Sequence, residues 1–306
     1  MFAKALKIAG SFTWPLLIAY KTVSGRTFTA IATITIINKD GWFLTAGHNI
    51  REWQKIVKEC DRTQLILRDI DVIENDSLID KEAKEIHLSK LPLIQEMDKM
   101  ECSISYGLNH NITAKNLNFS QPLVSDVGYD PLDLAVGRLE PFNPEWVANY
   151  PIFKDPDKNF FTGTSLCKLG FPLHGVETHW NDETGEFELP RKYLPLTYFP
   201  LDGIFTRNIV YSGNGPIWES IKFPVMSVEM STPGLRGQSG GPIFDTDGRI
   251  WAIQSRTLFY SLGFEAPIPA KDQTVHQFLS VGIGVHPSTI FGFLKDSEVR
   301  CAVSED

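Results

Sequence analysis

Residues 28–37 read Phe-Thr-Ala-Ile-Ala-Thr-Ile-Thr-Ile-Ile, alternating apolar side chains with small or hydroxylated ones and rich in β-branched types. This period of two predicts a strand. Asn38-Lys39-Asp40-Gly41 is a polar turn with glycine placed for positive φ, and Trp42-Phe43-Leu44-Thr45 resumes as the second arm of a hairpin. Upstream, the apolar run at 14–20 predicts the first strand of the fold. Downstream the pattern is mixed. Residues 65–72 have strand character, 76–90 carry charges and good helix formers that predict a short surface helix or loop, and 103–106 and 112–113 predict short strands.

From Ala135 to Leu139 an alternating apolar strand follows a polar turn, and Asp133 sits where the turn gives way to it. Prolines at 141, 144, 151 and 156 mark a connection between halves of the chain. A second set of strands is predicted at 165–168, 203–211, 223–230, 249–255 and 278–285. Residues 174–200 and 258–277 are read as insertions. Residues 287–295 predict a helix, with Pro287 at its start and Ile290, Phe291 and Leu294 at helical spacing.

Composition narrows the class. The chain has 306 residues, 42% hydrophobic and 22% charged, which are globular values. A net charge of −8 with no basic run argues against a nucleic-acid partner. Cys60, Cys102, Cys167 and Cys301 show no paired spacing, so they read as four reduced thiols in a cytoplasmic protein. Lys4 and Lys7 before an apolar run loosely imitate an export signal. Ser11, Thr13 and Pro15 interrupt the run, no cleavage site follows, and it is too short to cross a bilayer, so no membrane partner is expected. His174 and His179 lack a third ligand at a recognisable spacing; neither a metal nor any other cofactor is expected.

The chemistry concentrates in Gly237-Gln238-Ser239-Gly240-Gly241-Pro242. Glycines crowded around one serine suit a loop that exposes a hydroxyl and turns backbone N–H groups toward a developing oxyanion, although a plain turn between strands gives the same composition. A base and an orienting acid must come from elsewhere. His48 follows small residues at the end of the hairpin, with room for two ring partners. Asp133, at the edge of a core, needs a donor, which a histidine N–H supplies; a turn-capping role is the alternative.

Thr45-Ala46-Gly47-His48, Asp133-Leu134-Ala135 and the Ser239 loop, in the chain order His, Asp, Ser, resemble the three catalytic motifs of trypsin-like serine peptidases, most closely the bacterial HtrA and V8-type branch. The resemblance implies an all-β fold of two six-stranded antiparallel barrels, with residues 1–145 carrying His48 and Asp133 and 146–306 carrying Ser239. It implies a serine endopeptidase with Ser239 as nucleophile, His48 as base and then acid, Asp133 as orienting carboxylate, and the N–H groups of Gly237 and Ser239 as oxyanion hole. Ser255 matches a family serine that bonds the triad aspartate. Arg256 would flank the substrate backbone, with Pro233 and Arg236 also at the substrate cleft.

Departures from the family narrow the expectation. Gln238 stands where the digestive enzymes carry the aspartate that captures a freed N-terminus, so activation by N-terminal cleavage is not expected. Pro233 and Gly234 offer no acidic pocket base, and Gln254 replaces the histidine of the Glu-selective pocket. The 85 positions from His48 to Asp133 exceed what a minimal barrel needs, an excess assigned to 76–90. The insertions are expected to select a protein or peptide substrate or to bind a regulatory protein. A catalytically silent binding module and an exported quality-control protease are the competing readings.

Overall fold

The computed structural model describes residues 1–107, 112–123, 129–172, 175–262 and 278–305. Strands β1 (Thr13–Thr22), β2 (Thr27–Ile36), β3 (Trp42–Thr45), β4 (Lys99–Tyr106), β5 (Thr113–Phe119) and β6 (Ala135–Glu140) form one antiparallel sheet in the order β4-β1-β2-β3-β6-β5. Its two outer strands lie side by side without pairing, so this sheet is a half-closed barrel. The predicted hairpin is β2 and β3, with Thr35 opposite Leu44.

The second sheet is built from β7 (Ile152–Phe153), β8 (Ser165–Lys168), β11 (Leu201–Tyr211), β12 (Val225–Met230), β13 (Pro242–Phe244), β14 (Ile250–Ser261), β15 (Phe278–Val285) and β16 (Ala302–Val303). Because β13 pairs with both β8 and β14, six of these strands close into a ring, and β7 and β16 extend it as short parallel strands. A small hairpin of β9 (His179–Asn181) and β10 (Glu186–Glu188) stands apart in the insertion before β11. The architecture is consistent with a chymotrypsin-like double barrel. Leu166, Phe205, Val228 and Trp251 fill the closed ring, while a larger core runs from Ile34 and Phe43 of the first sheet to Phe153, Phe244 and Val285 of the second.

Five α-helices, besides two single-turn 3₁₀ helices, complete the described chain: α1 (Ala3–Phe12), α2 (Gly47–Asn75), α3 (Lys81–Leu88), α4 (Pro216–Ser220) and α5 (Pro287–Asp296). Strand β1 and helix α5 lie where the pattern places them. The apolar run before β1 begins as α1, whose Ala5, Ala9 and Phe12 are buried and whose flanking Phe2 meets Phe244 edge-on at 6.2 Å. No helix among the described residues is long and apolar enough to cross a membrane.

Two expectations are corrected. Residues 65–72 are not a strand but the last third of α2, a helix of 29 residues. Its inward stripe is Ile50, Trp53, Val57, Cys60, Thr63 and Ile66, spaced by three and four, and the helix packs on β4. The excess length between His48 and Asp133 therefore begins at His48 itself. Residues 81–88 are the predicted surface helix α3, capped by Asp80 Oδ1 accepting from Ala83 N at 2.9 Å. The expected excursion from 258 starts later, since β14 runs to Ser261, and its remainder at 263–277 lies outside the described residues.

Candidate active site

His48 enters the site from the first turn of α2 rather than from a strand end. Ala46 is in extended conformation, so the chain turns sharply from β3 into the helix. The buried Gly47 leaves no room for a side chain, since a Cβ there would come within 2.8 Å of the Leu134 carbonyl oxygen. Asp133 follows the turn that leads into β6, which pairs with β3. Strand pairing thus sets the acid beside the helix start.

Asp133 is fully buried. Its Oδ1 accepts from the His48 backbone N–H at 2.7 Å and from Arg51 Nη2 at 2.9 Å. Its Oδ2 meets His48 Nδ1 at 2.7 Å, accepts from Ser255 Oγ at 2.5 Å, and faces Arg256 Nη2 at 3.3 Å. Burial by itself would raise the carboxyl, yet the His48, Arg256 and Ser255 partners outweigh it and hold Asp133 well below the usual carboxylate range. Arg51, one helical turn beyond His48, also pairs with Asp130 Oδ2 at 2.9 Å and donates to the Ser120 carbonyl oxygen at 3.0 Å. Burial pushes the Asp130 carboxyl up, against the pull of Arg51 and of the Leu123 N–H.

Ser255 reaches Asp133 because β14 carries a bulge between Gln254 and Arg256, and a bulge re-aims the side chain it contains. Arg256 continues the same wall, its guanidinium 5.0 Å from the centre of the Tyr129 ring and its Nε donating to Ser255 Oγ at 3.2 Å.

The Ser239 loop is clasped from across the sheets. Thr33 and Thr35 lie on the face of β2 opposite Ile34 and Ile36, and both are fully buried. Thr33 Oγ1 donates to the Gly237 carbonyl oxygen at 2.6 Å, Thr33 N to the Ser239 carbonyl oxygen at 3.0 Å, and Thr35 Oγ1 to the Gly240 carbonyl oxygen at 2.9 Å. The hydroxyl face of the predicted strand therefore looks onto the loop rather than solvent. Gly237 has φ +95°, and a Cβ there would lie 2.3 Å from the Phe171 carbonyl oxygen. Only glycine fits both constraints. Gln238 is buried and spans the loop from within, accepting from Leu235 N at 3.0 Å and donating to the Phe199 carbonyl oxygen at 3.3 Å.

Two cavities meet at His48 and Ser239. One, about 540 Å³, is lined by Ile18, Ala30, Phe171 and Gly237; the other, about 530 Å³, by Pro233, Arg236, Ser255 and Arg256. Among the described residues, Gln238 N, Gly240 N and Gly241 N each find a carbonyl, whereas Gly237 N and Ser239 N donate to no protein group. Ser239 Oγ donates to the Ser255 carbonyl oxygen at 3.2 Å, and among the described residues no hydrogen bond joins it to His48.

Each expected site residue thus borders one of these cavities or, as Asp133 does, pairs with one that does. Two partners escaped the sequence reading. Arg51 stands three residues after His48 on a helix read as mixed structure. Lys168 shares the inward face of β8 with Leu166, two residues away, and is fully buried beneath Pro233. His179, once weighed as a ligand, pairs with Glu188 at 3.0 Å; His174 lies outside the described residues. Among the described residues no cluster of three or more His, Cys, Asp or Glu is placed to hold a metal.

No family model matches the chain, and no curated protein matches it in sequence. Among solved structures, the chain is similar to a variant of the HtrA-type protease AlgW with a tripeptide, at TM-score 0.43 and 13% identity, over 97% of this chain and 63% of that one. It is also similar to the M. tuberculosis protease Rv3671c. The active form gives TM-score 0.44 and 13% identity over 99% of this chain and 88% of that one, and an inactive serine-to-alanine mutant gives 0.42 and 12% over 97% and 92%. The chain spans less than two thirds of the AlgW length. Function rests on the site and not on these likenesses.

Proposed function

We propose that the protein is a serine endopeptidase that cleaves peptide bonds through an acyl-enzyme. The observation that carries this reading is the fully buried Asp133 set against His48 Nδ1 at 2.7 Å, with His48 and Ser239 opening onto shared cavities. Asp133 fixes the tautomer in which Nδ1 carries the proton, so Nε2 is left as the acceptor. Ser239 Oγ turns from the Ser255 carbonyl to His48 Nε2, gives up its proton there, and attacks the scissile carbonyl carbon. The oxyanion receives the N–H groups of Gly237 and Ser239, each worth on the order of 3 kcal/mol in the transition state. His48 then hands its proton to the leaving amine, and water repeats the sequence on the ester.

Gln238 supports a loop whose register is internal, with no need of a freed N-terminus. The substrate is a protein or peptide. The excess length, carried by α2 and α3 and by the insertion that ends at Pro200, is where a regulatory protein would bind. The bond from Ser239 Oγ to the Ser255 carbonyl favours a second reading, a silent binding module on the same fold. Labelling with a fluorophosphonate probe separates the two: the wild-type chain should label and Ser239→Ala should not. Equal signals from both, or none from either, would remove the peptidase reading.

A further inference from the structure

The cavity bordered by Arg236 and Arg256 is lined by two guanidinium groups in a chain whose net charge is −8. Among the described residues no aspartate or glutamate lines it. Under its floor lies Lys168, fully buried, with Nζ donating to the carbonyl oxygens of Thr232 at 2.6 Å and Pro233 at 2.9 Å. An ammonium has three donors, so two neutral carbonyls leave its charge unmatched. Its neighbour Cys167 is held as a neutral thiol by burial and offers it no counter-charge, and burial pulls the lysine down to about 7. A cation in such a position gains most from an anion brought in from outside.

Arg256 is divided between this cavity and the buried acid. Asp133 Oδ2 already has Ser255 Oγ at 2.5 Å and His48 Nδ1 at 2.7 Å, so Arg256 Nη2 at 3.3 Å is the most distant of its three partners. The Arg256 side chain keeps 23% of its surface exposed, and it borders the cavity. A guanidinium held loosely by one carboxylate is free to chelate another in two-pronged fashion.

We propose that this cavity selects a substrate residue that carries a carboxylate, and that Arg256 reads it by leaving Asp133 for the substrate. The inference rests on the peptidase reading above. A bound acidic side chain pairs with Arg256, with Arg236 at the rim and Lys168 beneath. Asp133 then loses a competing cation and stabilises the His48 imidazolium more strongly. A neutral side chain of equal size leaves Arg256 in place and the base weaker. Substrate charge thus reaches the general base through one side chain.

The test uses the full chain and peptide pairs that exchange Glu for Gln and Asp for Asn at each position flanking the scissile bond. At one position the acid should raise kcat/KM by about tenfold or more, the scale of a charge-assisted pair. Arg256→Met should collapse that ratio to within about twofold, Arg256→Lys should keep part of it, and Lys168→Met should reduce it. Should a variant not fold, N-acyl peptides ending in Glu or Gln compete with fluorophosphonate labelling of the wild-type chain, and the Glu peptide should compete about tenfold better. Equal rates for acid and amide at every position, with Ser239 still labelled, overturn the inference and leave the peptidase reading standing. An acid preference that survives in Arg256→Met overturns the role of Arg256. Absence of labelling removes both readings together.

Discussion

Among the described residues, Asp133 takes part in five polar contacts of 3.3 Å or less and has no exposed surface, whereas Ser239 Oγ makes one hydrogen bond, at 3.2 Å, to a carbonyl. The His48–Asp133 half of the site is locked by charge, and the Ser239 hydroxyl is held by little beyond its backbone. Its loop, by contrast, is rigid, with Thr33, Thr35 and Gln238 pinning three carbonyls and one N–H along it. The difference teaches where precision is needed before substrate arrives. A buried carboxylate cannot rearrange cheaply, while a serine side chain turns about a single torsion at small cost. The site fixes what is expensive to move and leaves free what is cheap.

The largest test of that contrast is Ser239→Ala, which should lower kcat on peptides by about 10⁶-fold while leaving the melting temperature nearly unchanged, since the hydroxyl carries so little structure. Next, Asp133→Asn should lower kcat by about 10⁴-fold, because the amide favours the wrong His48 tautomer. Unlike the serine variant it should also melt earlier, leaving Arg51 and Arg256 short of a carboxylate. Should both variants melt together, the contrast fails. Arg51→Met breaks a buried pair that also neutralises Asp130, and denaturant titration should show a loss of about 3–5 kcal/mol. Gly237→Ala strains the oxyanion loop against the Phe171 carbonyl and should cost about 10²–10³ in kcat, with the smaller effect falling on KM.

The smallest effect lies outside both halves. His286 caps α5, its Nδ1 accepting from Ser288 N at 3.1 Å, and burial pulls its pKa down to about 4. The folded state therefore binds fewer protons than the unfolded state between about pH 6.5 and 4, and stability falls as pH drops through that window. His286→Asn keeps a capping oxygen and should flatten this part of the profile, a difference on the order of 2 kcal/mol near pH 4. A profile equally steep in the variant would assign the acid sensitivity to other groups.

Much of this was legible from side-chain alternation and from three short motifs. The hairpin of β2 and β3 and helix α5 announce themselves by period and by turn residues. Helix α2 did not, because the apolar run Leu65-Ile66-Leu67 and the alternating Ile70-Asp71-Val72, with β-branched Ile66, Ile70 and Val72, imitate a strand, while its 3.6-residue stripe begins fifteen residues earlier at Ile50. That misreading hid Arg51, whose place on the face of His48 follows only if the helix starts at Gly47. His48, Asp133 and Ser239 were legible as candidates from their flanking motifs. The cations around them were not, since a buried lysine such as Lys168 contradicts the rule that lysine faces water, and only its register with Leu166 hints otherwise. The hydroxyls of Thr33 and Thr35 likewise read as solvent-facing until a second sheet is laid against them.

Those two threonines tie the Ser239 loop of one sheet to a strand of the other. Hinging the sheets apart would pull Gly237 and Gly240 out of line as it opened the core between them. On the peptidase reading, a chain cut in two within the 141–151 connection would then hydrolyse nothing as separate fragments and recover turnover only on reassembly, so enzymatic rate would serve as a direct gauge of whether the halves have docked.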